Sequence, residues 1–210
     1  MTTQPYDYIR NPEEIYRRSF AAIRAEADLG GLPPKLEAVV VRLIHACGMP
    51  DIVQDLAFSN DAAARGRRAL ASGATILVDT EMVAHGIIRS RLPLANYVLC
   101  TLGSDAVRER AGTTTRSAAA VELWPPHLEG AVVAIGNAPT ALFRLLELID
   151  EGAPRPAVVL AFPVGFVGAA ESKEALAHHP AGIPFVTVRG RRGGSAMAAA
   201  AVNALAGAER

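Results

Sequence analysis

His45 stands on a stretch of helical periodicity but away from its apolar side. Leu36, Val39, Val40, Leu43, Ile44 and Cys47 recur at helical spacing and make one stripe. At about 100° per residue, His45 falls roughly opposite the centre of that stripe, on the side of Ala38, Val41 and Arg42. A histidine so placed is either solvated or turned toward a separate site. In the second case an imidazole, which exchanges protons near neutrality, is a general acid or base. Arg42, one turn earlier, can sit beside it. The other histidines, His85, His127, His178 and His179, form no H-E-x-x-H or zinc-finger spacing. His178 and His179 precede Pro180 at a helix end, where they suit the helix dipole.

Three glycine-bearing segments follow apolar runs of strand length. They are Gly136-Asn137-Ala138-Pro139-Thr140, the stretch PVGFVGAAESK at 163–173, and Arg189-Gly190-Arg191-Arg192-Gly193-Gly194-Ser195. In parallel sheets, ligands bind beyond the carboxyl ends of strands, which is where these segments fall. The third is the most informative. Its glycines permit close backbone approach, Ser195 can cap a helix whose N-terminus attracts anions, and guanidinium groups match carboxylate or phosphate forks. An anionic ligand is expected there, at Arg189 and Arg191; the same composition also suits a solvated surface loop. The first segment, with Asn137, resembles a strand-to-helix phosphate turn, but the glycines serve equally as tight turns. Arg116 opens a helix after Thr113-Thr114-Thr115, where it suits either a ligand or a surface ion pair. No dinucleotide fingerprint, P-loop or G-x-S-x-G elbow occurs.

The elements that must hold these residues follow from periodicity. Asn11 as N-cap, Pro12 at the first helical position and Glu13-Glu14 begin a helix carrying Ile15, Tyr16, Phe20 and Ile23, ended by Gly30-Gly31. A second helix runs from Pro33-Pro34 to Gly48. A helix near 60–72 precedes a strand at 75–78, with another strand at 97–102 and a helix near 115–123 stopped by Pro125-Pro126. Then come three strand–helix units: 131–135 into a helix from Pro139, 157–162 into 169–178, and 185–188 into a helix from Ser195. This alternation predicts an α/β fold, a three-layer α/β/α sandwich with a mainly parallel sheet, as one domain over 1–210. The alanine-rich end, 196–206, reads as a helix packed closely against something, within the chain or between subunits.

Composition removes several classes of function. Lysine plus arginine and aspartate plus glutamate both number 21, so no basic excess points to nucleic acid. No apolar run spans a bilayer, and MTTQPYDYIRNPEE lacks the apolar core of a signal peptide. Two cysteines, Cys47 and Cys100, make neither a disulfide framework nor a metal motif, so a cytoplasmic protein is expected.

The segments together resemble the precorrin-8X methylmutase family. They are Ile44-His45-Ala46-Cys47-Gly48, Asp79-Thr80-Glu81-Met82-Val83-Ala84-His85-Gly86, Thr115-Arg116-Ser117-Ala118, GNAPT, PVGFVGAAESK and RGRRGGSAM, with Tyr8-Ile9-Arg10 and Ile15-Tyr16-Arg17-Arg18-Ser19-Phe20 ahead of them. The resemblance covers nearly the whole chain in order. It implies an isomerase of cobalamin biosynthesis that moves a methyl group from C11 to C12 of precorrin-8X, giving hydrogenobyrinate by an acid-assisted sigmatropic shift. It implies His45 as the essential histidine and Ser19 as a substrate contact. It further implies no metal, nucleotide or flavin cofactor, and a homodimer with the tetrapyrrole near the subunit interface. Ser19, Arg42, Arg116, Asn137, Arg189 and Arg191 are the substrate-binding candidates, and hand-over of the corrin product to the next pathway enzyme is a further expectation. Competing readings are a cobalt-precorrin-8 methylmutase, a non-catalytic corrin carrier, which retention of His45 disfavours, and a nucleotide-dependent oxidoreductase, which the missing fingerprint disfavours.

Overall fold

The computed structural model describes residues 6–110, 112 and 114–207. In chain order the helices are α1 (Pro12–Glu26), α2 (Pro34–Cys47), α3 (Ala62–Ala71), α4 (Glu81–Gly86), α5 (Asp105–Glu109), α6 (Arg116–Val121), α7 (Pro125–Leu128), α8 (Pro139–Asp150), α9 (Ala169–Ala177) and α10 (Ser195–Ala206). The strands are β1 (Leu56–Phe58), β2 (Ile76–Val78), β3 (Val98–Cys100), β4 (Val132–Ile135), β5 (Val158–Ala161) and β6 (Phe185–Val188). They form one sheet in the order β1-β6-β5-β4-β2-β3. Every pairing is parallel except that of β1 with β6, which is antiparallel.

Alternation along each strand divides the core into two layers. Val132 and Ala134 of β4 face α1, α2, α3, α4 and α10, whereas Val133 and Ile135 face α6, α7, α8 and α9. Strands β2, β4, β5 and β6 are buried along their whole length, as expected of parallel strands covered on both faces. The three-layer α/β/α fold read from the sequence is the fold observed.

Local chemistry explains most element ends. Asn11 caps α1 by accepting the Glu14 N–H at 3.0 Å, and Gly48 ends α2 in the left-handed region. Helix α1 ends at Glu26, before Gly30-Gly31, because Ala27 is already extended. Strand β1 and the short helices α4, α5 and α7 are additions to the expected elements; α6 already ends at Val121, and Pro125-Pro126, expected as a stop, opens α7, since proline suits the first turn of a helix. Strand β1 continues from a 3-10 helix, Pro50–Asp55, pairs with β6, and packs Ala57 into one core layer and Leu56 and Phe58 against the other.

Helix α10 resolves the alanine-rich run. It is packed inside the chain against α2, α4 and α3, with Met197, Ala198, Ala201, Val202 and Asn203 all buried. Small side chains are needed because its neighbours approach closely: a methyl group on Gly86 would stand 2.7 Å from the Ala199 Cβ. Most of these alanines therefore serve packing within the chain, and Ala196 is exposed.

Gly136, at the end of β4, meets the same helix. A Cβ there would lie 2.6 Å from the Ser195 Cα and 2.8 Å from the Val83 Cγ2, and a backbone atom cannot swing aside. Gly136→Ala should lower the unfolding free energy by about 2–3 kcal/mol. Urea denaturation checks this, and an unchanged midpoint would show that α10 can shift freely.

Candidate functional site

His45 lies in the last turn of α2 with an exposed side chain, although its neighbour Val41 is buried because α10 and α1 cover more of the helix than its stripe. Helix α1 crosses beside it and brings the Ser19 Oγ to 2.9 Å from the His45 Nδ1. The Phe20 ring meets the imidazole edge-on at 5.2 Å between centroids, and Tyr16 stands 6.2 Å away. The Arg42 guanidinium lies 5.7 Å from the Tyr16 ring centroid and 5.6 Å from that of Phe20, within cation–π range. With Nδ1 engaged by the serine hydroxyl, Nε2 is the nitrogen free to meet a reactant. When Nδ1–H donates to Ser19, the pair fixes one tautomer, so a proton gained or lost by the ring passes through Nε2. Tyr16 and Phe20 recur at helical spacing with Ile23, but among the described residues only Ile23 of that helix is buried. Both rings lie against His45 and Arg42, and Phe20 also packs against the core.

The carboxyl edge of the sheet is tied together by buried groups. Asp79 follows β2 and is buried; its Oδ1 accepts the Gly136 N–H, and its Oδ2 accepts the N–H groups of Asn137 and Ala138, each at 2.9 Å. Burial pushes this carboxyl group's pKa up, and the three N–H donors oppose that rise. The turn so held leaves the Asn137 side chain exposed. Next to it, Thr115 Oγ1 lies 2.8 Å from Thr140 Oγ1 and caps α6. Arg116 at the start of α6 is exposed, with one contact from Nη2 to the Leu102 carbonyl at 3.5 Å.

In the loop after β6, the three arginines differ. Arg189 donates to both carboxylate oxygens of Glu174 on α9 at 2.6 Å. Arg192 donates to Asp51 at 2.6 Å and to Asp55, which ties the loop to the segment just after α2. Arg191 instead lies over the Phe166 ring at 5.1 Å. Beneath them, the buried amine of Lys173 donates to the carbonyls of Gly190 at 3.0 Å and Arg192 at 2.5 Å. Its pKa is pulled down to about 8, mainly by burial, with Asp55 opposing. Gly193 is fixed by close approach, since a Cβ there would stand 2.3 Å from the Phe162 carbonyl oxygen. Among the described residues no three His, Cys, Asp or Glu side chains converge as a metal-binding group.

An exposed imidazole paired with a serine, beside loops bearing arginines, suits proton transfer on an anionic ligand. Comparison with known proteins identifies the group of enzymes. The precorrin-8X methylmutase family model matches residues 14–208. The chain is 65% identical over 202 residues to the precorrin-8X methylmutase of Pseudomonas aeruginosa, covering 95% of this chain and 97% of that one. The chain belongs to the precorrin-8X methylmutase family. It is also 56% identical over 203 residues to the precorrin-8X methylmutase of a Sinorhizobium species, covering 96% and 97% of the two chains. The solved precorrin-8X methylmutase of Thermus thermophilus superposes with a TM-score of 0.85 at 41% identity, over 92% of this chain and 94% of that one.

Within this methylmutase fold the candidate residues form two groups. Ser19, Arg42 and His45 are together on α1 and α2. Asn137 and Arg116 lie near the end of β4, two strand spacings from β6, or about 10 Å across the sheet. Arg191 is near the first group, because Arg192 beside it binds Asp51 just past α2. Arg189 is turned to α9, on the opposite face of the sheet from α2. Sequence reasoning missed Asp79 and Lys173 as organisers, and Phe166 as a contact of Arg191. The available signal for both polar residues was an ionisable side chain inside an otherwise apolar or glycine-rich segment. Among the described residues, no helix is long and apolar enough to cross a membrane.

The two carbonyls on Lys173 can be satisfied by the two N–H bonds of a neutral amine. The folded protein releases this proton near pH 8, and the unfolded chain keeps it to the ordinary lysine value of 10.5. Between those limits the unfolded state binds more protons, so stability rises with pH and the gain is lost as pH falls through about 8. Relative to Lys173→Met, the wild-type unfolding free energy should increase by about 3 kcal/mol across this window. Denaturation curves at several pH values test this; a constant difference between the two proteins excludes a titrating amine.

Proposed function

We propose that this chain converts precorrin-8X to hydrogenobyrinate by moving the methyl group on C11 to C12, with His45 as the acid. The observation that carries the reading is the Ser19–His45 pair, which leaves the exposed imidazole one free nitrogen. His45 lends a proton from Nε2 to the macrocycle and Ser19 holds Nδ1–H. Protonation draws electron density from the conjugated ring. The bond from C11 to the methyl carbon breaks as the bond to C12 forms, and a proton returns to the imidazole. No atom or electron is gained or lost. The gain is stabilisation of the charge-depleted transition state, without a covalent enzyme intermediate. Arg42, Arg116, Asn137 and Arg191 serve the ring carboxylates. Arg189 serves them only after giving up Glu174, so its contribution is the smallest of the arginines.

The experiment is incubation with precorrin-8X, followed by the appearance of the corrin absorption spectrum. His45→Ala should fold, bind hydrogenobyrinate within a few-fold of wild type, and lose turnover by about 10²–10⁴-fold. Full turnover in folded His45→Ala would falsify the assignment. The cobalt-containing precursor serves as the comparison substrate: preference for it would move the protein to the cobalt route.

The same reading includes a cytoplasmic homodimer that passes its corrin to the next enzyme of the route. An apolar surface on the N-terminal segment supports a subunit contact beside His45: Tyr8, Ile9 and Ile15 are exposed on the approach to and first turn of α1. A two-fold pair is the commonest arrangement for such a surface. Light scattering should give twice the chain mass. Mixing His45→Ala subunits with Arg191→Ala subunits should restore part of the activity if each site draws on both chains, and no restoration confines each site to one subunit.

A further inference from the structure

Phe166 and Val167 are 85% and 88% exposed, although the backbone around them is firmly held. Val164 N–H donates to the Asn137 carbonyl and Gly165 N–H to the Arg191 carbonyl, both at 3.3 Å, and Gly194 N–H donates to the Phe162 carbonyl at 2.8 Å. Lys173 and the close approach at Gly193 lock the same two loops from below. The aromatic tip is thus presented by a built scaffold. Between these loops and Met49, four residues beyond His45, runs a cavity of about 290 Å³ lined by Val164, Gly165, Phe166 and residues 191–193. Its character is apolar, with one cation at the rim. That cation is Arg191: Arg189 and Arg192 are neutralised by Glu174, Asp51 and Asp55, whereas Arg191 has only the Phe166 ring and no carboxylate partner among the described residues.

A groove of this kind matches a ligand with a flat apolar body and an anionic arm. Resting on the function proposed above, we propose that it seats one carboxylate-bearing edge of the tetrapyrrole. Phe166 lies against the ring face, Met49 and Val164 line the floor, and Arg191 takes the carboxylate. The Arg191 guanidinium is then shared between the ring of Phe166 and the ligand. Phe166 is a substrate-binding residue that sets which ring edge lies toward His45, and it takes no part in proton transfer.

The test is hydrogenobyrinate binding together with steady-state kinetics on precorrin-8X. Phe166→Ala should weaken product affinity and raise KM by about 10-fold, with kcat within a factor of two, and Phe166→Tyr should restore both. The methyl-esterified product should bind wild type more weakly than the free acid. That preference should shrink in Arg191→Ala and persist in Phe166→Ala. Unchanged KM and product affinity in Phe166→Ala overturn the groove assignment while leaving the methylmutase reading intact. The assignment also fails if Phe166→Ala changes the sedimentation coefficient but not the affinity per subunit, because the patch is then a contact between copies. A wild-type protein that neither binds the product nor turns over precorrin-8X overturns the functional reading itself.

Discussion

Lys173 places an amine between two carbonyls of the loop that follows β6, in a position closed to water. A buried amine without hydrogen-bond partners is costly, so the loop must keep the carbonyls of Gly190 and Arg192 pointed inward. That orientation decides where the three arginine side chains emerge. Arg189 is delivered to Glu174, Arg192 to Asp51 and Asp55, and Arg191 to Phe166. Since Arg192 binds the segment immediately after α2, the amine on α9 indirectly sets the loop's position relative to His45, on the other side of the sheet. Asp79 has the complementary role at β4, where a carboxylate gathers three N–H groups. A donor at one end of the edge and an acceptor at the other hold the loops that frame the site.

Much of the fold was legible because parallel strands covered on both faces announce themselves as apolar runs between helices. Residues 131–135, 157–162 and 185–188 contain strands β4, β5 and β6. Strand β1 was illegible because Leu56-Ala57-Phe58 follows directly on a 3-10 helix, with no turn signal to set it apart, and its pairing partner is more than a hundred residues away. The site divides in a similar way. His45 stood out because it lies off its helix's stripe, and its exposure agrees with that reading. Tyr16 and Phe20 show the limit of helical spacing, which says which residues share a side and never what covers that side. The arginines of 189–192 looked equivalent along the chain; only Glu174, Asp51 and Asp55, contributed by other elements, separate Arg191 from its neighbours.

Helix α10 also changes the meaning of the small-residue run. Alanine at this density suggested close approach without naming the partner, and the partner is the chain's own N-terminal half. Helix α4 comes near enough to α10 that Gly86 has no room for a side chain. The Asn203 side chain accepts the Ile88 N–H at 2.8 Å and donates to the Gly86 carbonyl at 2.9 Å, so the helix also closes the backbone end of α4.

This arrangement has a temporal side. The layer that carries His45 is organised around α10, which is synthesised after every other described element, while α2, which it must bury, is the second. Until residues 195–206 appear, the apolar stripe of Val40, Leu43 and Ile44 lacks its main cover, and contacts separated by some 150 positions close slowly. The growing chain must carry that stripe exposed until residues 195–206 are made, so the layer that holds His45 closes only after all the other described helices exist.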